Sequence, residues 1–317
     1  MRQIFFIIFL LYTSLSFANE FSFFNINSPL KKENKLIIKT EKEIQLENFC
    51  NKTNEYFKKY NWGNSNCSSY NFKHKLTSIQ NNPLIYTTIG NINAKERFLI
   101  MCGVHGDEIT PIKFCFDLLK NIENKLDDIF IIIAPMVSPD SFLTEKPTRT
   151  NHNGVDVNRN FPTKNWDKLA LKKWKHRYRS DKRRFPGHKS NSEEETKFQI
   201  ELITDYRPTN IISVHAPLTL LDYDGPSFTH DGKIHSAKLF LKEMSKRADN
   251  YRIKDYPVFP GSLGNYAGNE LKIPTLTLEL PSPDPAKHKE FWNTFKDAFE
   301  FVLTRKKKIN SKLEKTY

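Results

Sequence analysis

With 317 residues, of which 38% are apolar, the chain can bury a substantial core as one large domain or two small ones. The formal net charge of +13 is concentrated in the segment 164–189 and in the tail around Arg305-Lys306-Lys307-Lys308. It fits either a solvated basic face or attraction to an anionic cell-wall polymer or membrane surface, while the absence of any nucleic-acid-binding motif excludes nucleic acid as the expected partner.

The chain opens on Met1-Arg2-Gln3, an apolar run over 4–12 and small residues at Ser16 and Ala18. That order predicts a secretory signal peptide over 1–18, cleaved after Ala18, and a periplasmic or secreted protein. The run is short for a membrane span, and no later segment reaches the roughly 20 apolar residues that one needs. Residues 19–74 are polar and read as an N-terminal extension. There Cys50 and Cys67 lie in an Asn-rich stretch where a disulfide would pin a loop-rich segment. Cys102 and Cys115 lie in or beside apolar elements and read as small buried side chains.

From Leu84 the texture changes. Runs over 84–89 and 97–102 predict strands, and the helical spacing of Ile112, Phe116, Leu119 and Ile122 predicts a helix over 110–126. The continuous apolar run 129–134 predicts a strand covered on both faces. Further helices are expected over 193–206, 235–249 and 287–305, and further strands over 210–214 and 275–280. The strand–helix–strand order implies an α/β fold with a mixed, largely parallel central sheet and helices on both faces. The expected limits are 75–305 for the catalytic domain and 306–317 for a basic tail.

In such sheets chemistry gathers where strands end. His105 and Glu108 follow the strand over 97–102, His215 follows the strand over 210–214, and Glu279 lies at the end of the strand over 275–280. Two imidazoles and a carboxylate with a fourth position left for water describe a catalytic zinc site, since structural sites are closed by four protein ligands. The loop 151–162 carries Asn158 and Arg159, whose amide and guanidinium offer several donors to one carboxylate. Arg149 is placed to face an oxyanion near the metal. Asp156 is placed to accept from a ligand imidazole and fix its tautomer. The bland reading of this loop is a solvated turn.

His105-x-x-Glu108, Gly154-Val155-Asp156-Val157-Asn158-Arg159-Asn160-Phe161-Pro162, Ser213-Val214-His215 and Thr277-Leu278-Glu279-Leu280 occur in the order found in the M14 zinc carboxypeptidases. From about 75 to 300 the sequence resembles that family. The resemblance implies its fold, one Zn²⁺ held by His105, Glu108 and His215, and Glu279 as general base. It also implies Arg149 as the group polarising the scissile carbonyl, Asn158 and Arg159 as the grip on the substrate's terminal carboxylate, and Asp156 behind the ligands.

Within the family, Ser213 to Leu218, Pro260-Gly261-Ser262-Leu263-Gly264 and Glu279-Leu280-Pro281 resemble the bacterial murein-peptide branch. That branch implies peptidoglycan stem peptides as substrate, the γ-D-glutamyl–meso-diaminopimelate bond as target, and an influence on cell shape. Asp222 and Asp224 follow His215 closely enough to receive the ammonium of diaminopimelate. Tyr266 is a candidate substrate contact, although its spacing does not match the family's mobile tyrosine. Two other readings fit parts of the sequence: a zinc N-acyl amino acid deacylase on a related scaffold, and a non-catalytic wall-binding protein using its basic segments.

Overall fold

Seven strands form one sheet among the described residues, which in this computed structural model are 39–122, 126 and 128–304. They are β1 (Lys73–Thr77), β2 (Pro83–Gly90), β3 (Glu96–Cys102), β4 (Ile129–Ala134), β5 (Asn210–His215), β6 (Leu220–Asp224) and β7 (Thr275–Glu279). Their order across the sheet is β1-β2-β4-β3-β5-β7-β6. The helices are α1 (Glu41–Lys59), α2 (Ile109–Ile122), the single turn α3 (Pro139–Phe142), α4 (Trp166–Arg177), α5 (Glu194–Tyr206), α6 (Ser236–Arg247) and α7 (His288–Thr304). The expected leader over 1–18 and the basic tail over 306–317 lie outside the described residues.

The apolar run of β4 is explained by cover on both sides. Ile129, Ile131 and Ile133 enter a core shared with α2 and α7, while Phe130, Ile132 and Ala134 enter the opposite core with Phe198, Leu202 and Ile203 of α5. Successive side chains point to opposite faces, so a strand covered twice has no polar position to spare. Pairing is parallel for β4 with β3, β3 with β5 and β5 with β7. The flanking strands β1, β2 and β6 add antiparallel. The sheet is therefore mixed as expected, with the parallel part confined to its middle four strands.

Two expectations change. Residues 40–74 are no separate extension: Thr40 caps α1 in a capping box with Glu43, and Phe49 and Phe57 pack in the same core as α2 and α7. From Thr40 on, the described chain is one compact unit. Cys102 and Cys115 are not merely small buried residues, because they form a disulfide joining β3 to α2. Cys50 and Cys67 pair as the polar context implied.

The parallel middle places three chemical groups side by side. His215 and Glu279 are register partners at the ends of β5 and β7, and Cys102 at the end of β3 pairs with Val214, so His105 emerges beside them. Ser213, Thr277 and Glu279 share the sheet face opposite Val214 and Leu278, as do Asp222 and Asp224 of β6. This face forms a wall of a cleft of about 320 Å³.

Candidate active site

The His105 loop is built by close backbone approach. A Cβ on Gly106 would lie 2.2 Å from the carbonyl carbon of Ser141, so only glycine fits there. The Asp107 N–H donates to Thr148 O at 3.1 Å and the Glu108 N–H returns to His105 O at 3.3 Å. These contacts turn both side chains inward, where His105, Glu108 and His215 are buried.

A ligand atom from each of the three lies within 4.8 Å of the others. His105 Nδ1 is 2.8 Å from Glu108 Oε1, and His215 Nδ1 is 2.8 Å from Glu108 Oε2. The far nitrogens are engaged elsewhere: His105 Nε2 lies 3.0 Å from Asp156 Oδ1 and His215 Nε2 lies 2.9 Å from Ser213 Oγ. With those nitrogens protonated against oxygen acceptors, two Nδ1 lone pairs and a carboxylate converge on one point. Three acceptors facing each other in a buried pocket call for a cation, and the donor set is one that zinc takes. Electrostatics agree. Burial would raise the Glu108 carboxyl, but His105 and His215 outweigh it and hold it well below the usual carboxylate range. Burial and Arg149 oppose protonation of His105, yet Glu108 and Asp156 outweigh them and raise its affinity for a proton.

Asp156 is fully buried behind the ligands and holds both His105 and Arg149. Its Oδ2 accepts from Arg149 Nε at 2.9 Å, while Arg149 Nη1 donates to Glu108 Oε1 at 3.0 Å. Arg149 Nη2 makes neither contact and lies on a guanidinium that lines the cleft. Burial would raise Asp156, but Arg149 and His105 keep it well below its ordinary value and hence charged.

The neighbouring loop shapes the carboxylate grip. Asn158 Oδ1 accepts from the Leu263 N–H at 2.8 Å, which fixes the amide orientation and leaves its NH₂ for the cleft. The Arg159 guanidinium lies 4.4 Å over the Phe259 ring, and Nη1 donates to Asn158 O at 2.6 Å. Its Nε is buried without a hydrogen-bond partner, a donor that a substrate carboxylate would satisfy. Gly261 makes this possible: it has φ +74°, and a Cβ there would stand 2.0 Å from Arg159 O. Its carbonyl accepts from the Phe161 N–H at 3.0 Å.

Glu279 faces the same cleft. Its Oε2 accepts from the Leu218 N–H at 3.3 Å, and its backbone oxygen accepts from Tyr251 OH at 2.7 Å. Burial is the largest influence on this carboxyl and raises it, with His215 pulling the other way. A raised carboxyl next to a metal pocket suits a group that takes up and returns a proton near neutral pH.

Asp222 and Asp224 line the cleft two residues apart on β6. The Tyr256 N–H donates to Asp222 Oδ1 at 2.9 Å, and Asn269 Nδ2 donates to Asp224 Oδ1 at 3.2 Å. Tyr266 is the exception among the candidates. Its ring stacks on Phe161 at 5.4 Å and packs against the α5-side core; it does not line the cleft, because the Gly264–Glu270 π-helix directs it into the protein. Sequence reasoning missed Ser213 as the partner of His215, although a residue two positions earlier in a strand shares its face. It also missed Phe259 beneath Arg159, and Arg183, whose Nη1 donates to Asp107 Oδ2 at 2.6 Å. Nothing in the spacing of residues 76 apart announces that last pair.

Zinc held by His105, Glu108 and His215 would supply a Lewis acid and lower the pKa of water at its open position to about 7. The chain's own groups supply the remainder. Glu279 is positioned to accept the proton of an attacking water and return it to the leaving amine. Arg149 lines the cleft where an oxyanion would develop, and loss of such a donor costs on the order of 3 kcal/mol. Asn158 and Arg159 offer donors that would hold a carboxylate on the leaving side and so orient the end of a peptide.

Sheet, ligand set, base and carboxylate grip together define a metallocarboxypeptidase. Residues 64–311 match the family model for zinc carboxypeptidases, Peptidase M14. The chain belongs to that family and is a zinc-dependent peptide hydrolase. It is similar to murein peptide amidase A from Vibrio campbellii, with 31% identity over 206 residues covering 64% of this chain and 77% of the relative. It is also similar to murein peptide amidase A from Escherichia coli, with 28% identity over 200 residues covering 62% and 76%. Two solved structures share the fold. Murein-tripeptide amidase from Escherichia coli O157 aligns with a TM-score of 0.52 at 24% identity, over 72% of this chain and 91% of that one. Bovine thrombin-activatable fibrinolysis inhibitor, solved with a tick carboxypeptidase inhibitor, aligns with a TM-score of 0.61 at 18% identity, over 82% and 97%.

Proposed function

We propose that this enzyme is exported and trims peptidoglycan stem peptides, hydrolysing the γ-D-glutamyl–meso-diaminopimelate bond of tripeptides, with an effect on cell shape. The observation that carries the reading is Arg159. A buried guanidinium with an unpartnered Nε beside the metal pocket accepts substrates with a free carboxylate on the leaving residue. In a tripeptide stem the L-centre of diaminopimelate offers that carboxylate; in a tetrapeptide it is masked by the next amide.

Diaminopimelate also carries an ammonium at its D-centre. Burial raises both acids on β6, Asp224 to about 6 with Asp222 adding to it. A pair under that pressure gains from a cation placed between them. The two murein peptide amidase relatives support the substrate class. Export is supported by the leader-like sequence of residues 1–18 and by two disulfides, which persist in oxidising compartments.

Mass analysis of reactions with tripeptide and tetrapeptide stems tests the reading. The expected result is release of diaminopimelate from the tripeptide alone; equal cleavage of the tetrapeptide would refute the role given to Arg159.

A further inference from the structure

The basic segment 164–189 is not just a solvated face. It folds into α4 and a 3-10 turn at Lys182–Arg184, and the two bound a second cavity of about 680 Å³ against the loop 147–154. Arg149 and Arg183 line both this cavity and the catalytic cleft, so the two spaces share a wall. Arg159, which holds the leaving side, does not line the second cavity.

The chemistry of the cavity is two-part. One side is aromatic: Trp174 and Phe185 are only partly buried, with ring centroids 4.8 Å apart, and the Trp174 indole N–H is already used on Asp181 O at 2.8 Å. Their exposed parts offer an apolar surface, since the only polar side-chain atom of the pair is already engaged. The other side is cationic, with Lys175, Lys182 and Arg183 exposed. Asp107 fixes Arg183 Nη1 at the boundary with the cleft, leaving the other nitrogens of the fork available.

We propose that this cavity is the acyl-side subsite and takes a stem peptide still joined to its amino sugar. The α-carboxylate of the γ-linked glutamate meets Arg183, and the saccharide ring lies against Trp174 and Phe185. The inference rests on the substrate class given above. A γ-linked glutamate leaves its α-carboxylate free close to the scissile carbonyl, where the shared Arg149–Arg183 wall stands. Two extended residues then reach about 7 Å further, which carries the chain from that wall into the cavity. Sugar rings present C–H faces that pack on aromatic rings, and the volume falls in the range of ligand sites, roughly 300–1,000 Å³.

The test compares kcat/KM of the zinc enzyme for free tripeptide and for the same tripeptide carried by its disaccharide. The expected preference for the disaccharide form is about tenfold, the yield of the sugar–aromatic contact that the free tripeptide lacks. Trp174→Ala and, independently, Phe185→Ala should each move that ratio toward one, mainly through KM for the disaccharide substrate. Taking the ratio within each variant cancels any loss of folded protein. Equal kcat/KM for the two substrates in the unaltered enzyme would overturn the proposal, as would a preference that survives both substitutions. Hydrolysis of neither substrate would instead overturn the stem-peptide reading and this subsite with it, whereas cleavage of free tripeptide without preference leaves that reading standing.

Discussion

Asp156 stands 3.0 Å from His105 Nε2 through one oxygen and 2.9 Å from Arg149 Nε through the other. One buried carboxylate therefore orients a metal ligand and the oxyanion donor together. Asp156→Asn keeps the shape and removes the charge. Partners of this kind alter metal affinity by roughly 10–100-fold, so the variant should lose zinc by that factor in a competition titration with a chromogenic chelator. Its kcat should fall as well, because Arg149 loses its anchor; unchanged affinity would contradict the role.

As a general base, Glu279 would have to be deprotonated to act. Burial raises it above its ordinary 4.5, and activity should fall as pH drops through that raised value. The acid limb of the kcat/KM profile should accordingly sit above pH 4.5. Glu279→Gln should lower kcat by about 10²–10⁴ and remove the limb while zinc content by atomic absorption stays the same.

The Cys102–Cys115 disulfide, with a sequence separation of 13, encloses the loop that bears His105 and Glu108. A loop of about that length contributes roughly 3 kcal/mol when closed. Replacing both cysteines with alanine should lower Tm by roughly 6–10 °C in calorimetry and speed zinc loss to chelator. The Cys50–Cys67 pair, which ties α1 to the turn at 67–69 and encloses none of the ligands, should affect Tm without the second effect.

Asp222→Asn and Asp224→Asn should each weaken discrimination for diaminopimelate over alanine as the leaving residue, chiefly in KM. A double variant that keeps the full preference would remove the ammonium-binding role from β6.

Much of the site was legible because its residues lie at strand ends or in one loop. Periodicity located β3, β5 and β7, and the loop 151–162 carries its donors in consecutive positions. What was missed has physical reasons. The β6 sequence Leu220–Asp224 holds two acids because one face lines the cleft, which disguises it as a loop. In α4 only Trp166 and Ala170 are buried, so no apolar stripe marks the helix. The Thr40-x-x-Glu43 signature of α1 was present in the sequence, but its polar composition read as an extension. The Cys102–Cys115 pairing depends on how α2 folds back on β3, which spacing does not encode.

The most direct test of a carboxylate-anchored zinc peptidase is the mass of what the protein releases from a defined tripeptide stem. Zinc-loaded enzyme should release diaminopimelate, chelator should stop the release, and added zinc should restore it, with Glu279→Gln slower by about 10²–10⁴ throughout. Intact tripeptide after incubation with fully zinc-loaded protein, or release at an undiminished rate by Glu279→Gln, would contradict the account.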